Sequence, residues 1–347
     1  MNVQSLATTA QRAAARQLLE LISGNWATQV IGVAARLGLA DRIAAGLTEV
    51  DALAQDCGCE AESLHRLLRG LASLGLLHFD AAGHCHLSAV GEMLRRDAPA
   101  SLNAHAQWWS QQSWAVWADL LGSVRSGQSM RQRVRGQQGF EHLDGDAAAA
   151  ELFHGSMVDL TRLVAADLAE VLALALPQSG VVMDLGGGHG ALLTEVLRRR
   201  PGLNGLLFDL AHAVAGAQAQ LQTAGVAERV TVVEGDFFAA LPGPVDVVLL
   251  KSVLHDWADD GALRILQRAR AALMPTGRVL VIERVMPGRV EDRPADRLTV
   301  RSDLNMLVSL GGRERTIEDY DALLQHAGLV RQRSFEAVAA FSVIEAV

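Results

Sequence analysis

From Pro177 onward the chain alternates short apolar runs with amphipathic stretches, and this alternation limits its possible folds more than any other feature of the 347 residues. The runs are Val181-Val182-Met183-Asp184-Leu185, Leu206-Leu207-Phe208-Asp209-Leu210, Val230-Thr231-Val232-Val233, Val245-Asp246-Val247-Val248-Leu249-Leu250 and Arg278-Val279-Leu280-Val281-Ile282. Runs with little polar alternation are buried on both faces, and strands joined through helices run parallel. The segment 177–347 is therefore predicted to be an α/β doubly wound parallel sheet. Phe335 and the stretch from Phe341 to Val347 can add terminal strands. Ligands of such sheets lie beyond the carboxyl ends of the strands, so those ends are where chemistry is sought.

The first strand runs into Asp184-Leu185-Gly186-Gly187-Gly188-His189-Gly190. Gly186, Gly188 and Gly190 allow a tight turn and close approach of backbone to a ligand at the start of the next helix. The loop alone leaves two cofactors open. Gly186-x-Gly188-x-x-Ala191 also fits a dinucleotide fingerprint, and Asp209 at the end of the second strand can hold a ribose in either case.

Upstream, apolar residues recur at helical spacing from Ala13 to Ala45, in a stripe broken at Gly38 and Gly46. Further helices open at Thr48-Glu49 and over Ser63–Leu71. Leu76–Asp80 and His84–Ser88, joined by Ala81-Ala82-Gly83, then read as a hairpin, which completes a winged-helix shape. With 31 Lys and Arg against 39 Asp and Glu, and a net charge of -8, the chain lacks the basic surface that a phosphate backbone needs. The helix that would enter a groove carries only His65, Arg66 and Arg69.

Cys57, Cys59 and Cys85 are too few for a disulfide framework, and with His84 and His86 they lack the paired spacing of a zinc site, so no metal is expected. The opening residues lack the continuous apolar core of a secretory signal, and no stretch reaches membrane-spanning length, so a soluble cytoplasmic protein is expected. The domains are expected at 1–100, 101–176 and 177–347, the middle part being connecting helices that line the substrate pocket. It includes a long helix from Leu152 to about Leu176 and a solvated loop over Met130–Gly136. Trp108, Trp109, Trp114 and Trp117 fall in this part and either cap the pocket or pack the connecting helices, the latter being the expectation.

The remaining strand ends separate the cofactors. Glu234-Gly235-Asp236-Phe237-Phe238 places an acid and a ring where an adenine can be bonded at its amino group and covered on its face. Lys251-Ser252-Val253-Leu254-His255-Asp256-Trp257 follows the fourth strand. Together with DLGGGHG, FDL and GDFF before it, and Ile282-Glu283-Arg284 and Gly311-Gly312-Arg313-Glu314-Arg315-Thr316 after it, this run resembles the plant-type S-adenosylmethionine-dependent O-methyltransferases. The resemblance covers nearly the whole chain. His65–Arg69 and the hairpin resemble that family's dimerisation domain, and Phe153 to Met157 its F-x-x-x-M helix. Ala15 to Ile43 resembles bacterial members acting on phenazines and aromatic polyketides.

The resemblance implies a Rossmann-like class I methyltransferase domain, a homodimer, and S-adenosylmethionine as cofactor with S-adenosylhomocysteine as product. It assigns cofactor contacts to Asp184, Gly186, Gly188, Asp209, Asp236, Phe237, Lys251 and Trp257, and the general base to His255, flanked by Glu283 and Glu314. Met157, Asp256, Asn305 and Met306 fall at substrate-lining positions, although a methionine on an apolar helix face is also ordinary core. An aromatic hydroxyl is a weak nucleophile until deprotonated, and a neutral imidazole takes protons near neutral pH, so His255 is expected to act as a base of ordinary pKa. The implied reaction is methyl transfer to a hydroxyl of an aromatic small molecule. An N-methyltransferase on the same site, a hydroxylating relative that keeps the cofactor, an NAD-dependent dehydrogenase and a DNA-binding regulator are the competing readings.

Overall fold

The computed structural model describes residues 8–137 and 139–347. Two compact units divide between Gln112 and Ser113. The first seven residues, which entered the reading of the amino terminus, lie outside the described residues. Among the described residues no helix is long and apolar enough to cross a membrane.

The first unit runs α1 (Thr9–Ser23), α2 (Asn25–Arg36), α3 (Leu39–Ala44), α4 (Val50–Cys57), α5 (Ala61–Ser73), β1 (Leu77–Phe79), β2 (Cys85–Leu87), α6 (Ala89–Glu92) and α7 (Asn103–Trp108). Gly38, at φ +60, ends the expected stripe and starts α3. Gly24 adds an earlier break between α1 and α2. Leu39, Leu53, Leu64, Leu68 and Leu77 form one core with Cys85. On β2 the pleat sends Cys85 inward while His84 and His86 lie 3.4 and 3.1 Å from Asp80 Oδ2, so these side chains are sorted onto opposite faces.

The second unit opens with α8 (Trp114–Trp117), α9 (Leu120–Ser126) and α10 (Met130–Arg135). The expected loop over Met130–Gly136 is thus a helix. Ser129 and Gln132 form a reciprocal capping box, Gly136 closes the helix at φ +66, and Arg131 is only 6% exposed. The expected long helix is two, α11 (Ala147–Arg162) and α12 (Ala165–Leu172). Asp146 accepts from the backbone N–H of Ala149 and starts α11 early. Val164 leaves helical geometry between the two and is buried in the cluster that holds Leu168 and Leu172.

There follow β3 (Gly180–Leu185), α13 (Ala191–Arg199), β4 (Leu203–Asp209), α14 (Ala211–Val214), α15 (Ala217–Thr223), β5 (Val230–Glu234), β6 (Val245–Lys251), α16 (Asp259–Ala271), β7 (Leu273–Arg284), α17 (Pro294–Ser309), α18 (Ile317–His326), β8 (Arg331–Glu336) and β9 (Phe341–Ala346). The sheet order is β5-β4-β3-β6-β7-β9-β8. The first five of these run parallel, and the tail returns as two antiparallel strands with β9 inserted beside β7.

The alternation along β6 shows why these runs are apolar throughout. Val247 and Leu249 enter the cluster on one face of the sheet, and Val248 and Leu250 the cluster on the other. All four are fully buried, each contributing about 1.5–3 kcal/mol by transfer out of water. The order in which successive strands are added reverses between the parallel neighbours β3 and β6, so the glycine loop after β3 and the His255 segment after β6 open into one crevice.

Candidate active site

Register brings the catalytic candidates together. Lys251, last on β6, pairs with Ile282 on β7, and the N–H of Ser252 donates to Ile282 O at 3.0 Å. Glu283 is the next residue on β7. Its Oε1 accepts the backbone N–H groups of Val253 and Leu254 at 3.0 and 2.9 Å and lies 3.4 Å from that of His255. One carboxylate therefore holds the turn that carries the histidine. Ser252 adopts φ +54 at the start of that turn, a left-handed conformation uncommon for a side-chain-bearing residue.

The segment after α17 closes the other side. Arg313 N–H donates to His255 O at 2.9 Å, and a Cβ on Gly312 would stand 2.0 Å from that same carbonyl oxygen, so only glycine fits. Arg315, fully buried, donates to Leu254 O, Trp257 O and Asp259 Oδ1 at 2.7–3.0 Å. Glu314 is thereby set against the imidazole. His255 Nδ1 is 2.9 Å from Glu314 Oε1 and 3.4 Å from Glu283 Oε2, and Nε2 is 3.4 Å from Asp256 Oδ1. The Nδ1 proton serves Glu314, and Glu283 Oε2 acts on the ring through charge, without a hydrogen bond of its own.

Burial opposes charge on His255, but Glu283, Glu314 and Asp256 outweigh it and raise its pKa to about 10. The expectation of an ordinary histidine is corrected here: three carboxylates around one buried ring hold its proton well above neutrality. Burial likewise lifts Asp256 to about 7, against the pull of His255. Glu314 is held below the usual carboxylate range, because His255 and a 2.5 Å hydrogen bond from Ser302 Oγ outweigh its burial. One His255 ring nitrogen and carboxylate oxygens of Glu283 and Glu314 also lie within 4.8 Å of one another, as a metal would require. The hydrogen bonds already made by Glu283 Oε1 and Glu314 Oε1 favour an imidazole-orienting set.

The cofactor candidates gather at the ends of β3, β4 and β5. Gly186 and Gly188 have φ of +76 and +54, and a Cβ on Gly188 would meet nothing within 4 Å, leaving that side open. Asp209 accepts from the N–H groups of Gly188 and Leu210, each at 2.8 Å, and so shapes the loop. Asp236 Oδ1 accepts from Phe238 N–H, which turns the chain so that Phe237 and Phe238 meet Trp257 edge-on, with centroids 5.8 and 4.7 Å away. The buried Trp257 Nε1 has no acceptor among the described residues. Burial raises Asp184 to about 7 and also raises Asp209, while it lowers Lys251 to about 8. Desolvated carboxylates favour a cation, and an indole donor without an acceptor favours a heterocycle. Both fit a sulfonium nucleoside.

Lys251 Nζ donates to Thr161 Oγ1 at 3.1 Å, and Met157, half-buried, lies one helical turn before Thr161 on α11. Met306 is buried on α17. Asn305 Oδ1 accepts from Trp117 Nε1 at 3.0 Å. Sequence reasoning missed Thr161, Ser302 and Arg315; Arg315 lies within the GGRERT run, whereas nothing local marks the other two. Trp117 belongs to the tryptophan cluster, but its bond to Asn305 has no local mark.

Residues 117–330 match the O-methyltransferase domain model, and residues 19–97 match the O-methyltransferase dimerisation domain model. The chain belongs to this O-methyltransferase family and is S-adenosylmethionine-dependent. The dinucleotide reading of the glycine loop is thereby set aside. A phenazine O-methyltransferase, PhzM of Lysobacter antibioticus, is 34% identical over 329 residues, covering 95% of each chain. Aclacinomycin 10-hydroxylase RdmB of Streptomyces purpurascens is 37% identical over 88% of this chain and 82% of its own. Among solved structures, an O-methyltransferase from neocarzinostatin biosynthesis, in complex with S-adenosylmethionine and 2-hydroxy-5-methyl naphthoic acid, has a TM-score of 0.76 and 31% identity. It covers 92% of this chain and 95% of that one.

Proposed function

We propose that this methyltransferase acts on a hydroxyl of an aromatic small molecule of the phenolic, phenazine or polyketide kind, with His255 as general base. The observation that carries this reading is the 2.9 Å contact from His255 Nδ1 to Glu314 Oε1, which leaves Nε2 as the proton-accepting nitrogen of the neutral ring. The substrate hydroxyl takes the place of Asp256 at Nε2 and gives up its proton there. Glu314 and Glu283 then stabilise the imidazolium that forms. S-adenosylmethionine, when bound, supplies an electrophilic methyl carbon on a cationic sulfur.

Asp209 serves the ribose hydroxyls, Asp236 the adenine amino group, and Phe237 with Trp257 the faces of the base. Asp184, Gly186, Gly188 and Lys251 line the rest of that cleft. Met157, Asp256, Asn305 and Met306 border the acceptor. Holding the two reactants aligned and dry accounts for much of the acceleration in such a transfer. The dimerisation domain supports a homodimer, and a cytoplasmic location accords with an enzyme drawing on free S-adenosylmethionine.

Methyl transfer from labelled S-adenosylmethionine to a panel of hydroxylated naphthalenes, phenazines and anthracyclinones tests the reading, with products resolved as O-methyl, N-methyl or hydroxylated. O-methyl product that is lost in His255→Ala supports it. Hydroxylated product alone, or full turnover in that variant, overturns it. The hydroxylase name of one relative makes the product analysis necessary.

A further inference from the structure

Arg131 on α10 is a buried cation without a matching anion. It is 6% exposed, its Nη1 donates to Ser309 O at 3.4 Å, and no carboxylate among the described residues lies within ion-pairing distance. The charged group acting on it is Arg135, of like sign, and the neighbouring His142 is pushed down to about 4 by its burial and then by Arg131. Burial itself lowers Arg131 to about 10, which leaves the guanidinium charged at neutral pH. Buried charges are ordinarily paired, and Arg315 in this same unit is paired with Asp259.

A second donor stands one turn away. Trp117 Nε1 can only donate, so the Asn305 amide must turn its oxygen to the indole, and Ser309 Oγ approaches that oxygen at 3.5 Å. The Asn305 NH2 therefore points elsewhere, and no bond among the described residues uses it. Ser309 thus touches both Arg131 and Asn305. Along α17, Asn305 is about 4.5 Å and Ser309 about 10 Å beyond Ser302, the residue bonded to Glu314 beside His255. Asn305 and the Ser309 carbonyl that Arg131 holds therefore lie on the same helix as the residue that bonds Glu314.

We infer that the corner between α10 and α17 receives an anionic group, a carboxylate on the aromatic acceptor, with Arg131 supplying the charge and Asn305, turned by Trp117, supplying amide donors. This assignment rests on the aromatic-acceptor reading above. The alternative is that Arg131 only caps the carbonyl end of α17, where the helix dipole offers a fraction of a negative charge.

The probes are hydroxynaphthoic acids and the methyl ester of each, bound to the full-length protein with S-adenosylhomocysteine present and measured by calorimetry. The acids are expected to bind about tenfold or more tightly than their esters, with a preference that falls as salt is raised. In Arg131→Met and Asn305→Asp the ratio of acid to ester affinity should collapse toward one, and Arg131→Lys should keep part of it. Equal affinity of acid and ester for the unaltered protein overturns the assignment, as does an unchanged ratio in a folded Arg131→Met. Loss of thermal stability with an intact ratio identifies a capping role alone and overturns it too. Should Arg131→Met not fold, the acid-to-ester ratio of the unaltered protein and its salt dependence still decide. Tight binding of an acid that is never methylated at any hydroxyl counts against the acceptor reading and leaves the anion site standing.

Discussion

Glu283 reaches from β7 to the end of its neighbour β6 to hold the turn that carries His255: its Oε1 accepts the Val253 and Leu254 backbone N–H groups, while its Oε2 lies 3.4 Å from the imidazole. One carboxylate thus sets both the position and the charge of the proposed base, whereas Glu314 sets its tautomer. The two acids have separable roles.

Glu314→Gln should therefore leave the fold intact and lower kcat by roughly 10- to 100-fold, and His255→Ala by roughly 100- to 10,000-fold. S-adenosylhomocysteine affinity, read by calorimetry, should change little in either. A drop in cofactor affinity that matches the drop in kcat would show that these residues hold the cofactor and do not move the proton.

The pH dependence follows from the carboxylates around His255, which raise it to about 10. A base that is protonated at neutrality is active only in its minority form, so kcat/KM should climb through the alkaline range with no plateau near 6.5. Removing one negative charge lowers the imidazole pKa, and Glu314→Gln should move the rise to lower pH. The same shift bears on stability: this histidine's contribution is full below its unfolded pKa near 6.5 and is lost as pH rises through about 10. A profile already flat at pH 7 in the unaltered enzyme contradicts this.

Arg315 ties Leu254, Trp257 and Asp259 together from a fully buried position. Arg315→Met leaves Trp257 O without this donor and weakens the hold on Leu254 O, which keeps the Trp257 N–H, and on Asp259, which keeps Arg313, at an expected loss of about 2 kcal/mol. Urea unfolding should report it, and activity should fall further than stability alone explains because the His255 turn loosens.

Asp209 bonds the Gly188 and Leu210 amides, and the proposal also gives it the ribose. Asp209→Ala should weaken S-adenosylhomocysteine by at least about tenfold. An undiminished affinity in calorimetry would remove Asp209 from the cofactor site.

On α1, Leu18, Leu19, Leu21 and Ile22 are 57–73% exposed and the helix has no buried residue. Such an apolar face in a dimerisation domain is expected to be covered by a second copy. Leu21→Lys combined with Ile22→Lys should shift light scattering toward a monomer, while an unchanged dimer places the interface elsewhere.

The strands and the glycine loop were legible because period and burial are local properties: a run such as Val245–Leu250 is apolar on both faces but for Asp246. The capping box at Ser129 and Gln132 was equally local, yet the charges of Arg131, Arg133 and Arg135 suggested a solvated loop. The break at Val164 depended on what lay beneath it. Thr161 and Ser302 carried no signal, and the tryptophan cluster did not show that Trp117 bonds Asn305, since each acts through a partner on another element.

The amino-acid order alone pointed to S-adenosylmethionine as cofactor and, through the family resemblance, grouped His255, Glu283 and Glu314 as the proposed catalytic set. The tertiary structure decided how those residues share protons and what lies opposite them. A buried group's pKa and a side-chain amide's orientation depend on distances across strands and helices, to Asp256 and Glu314 for His255 and to Trp117 for Asn305. Those distances exist only once register and packing have set them.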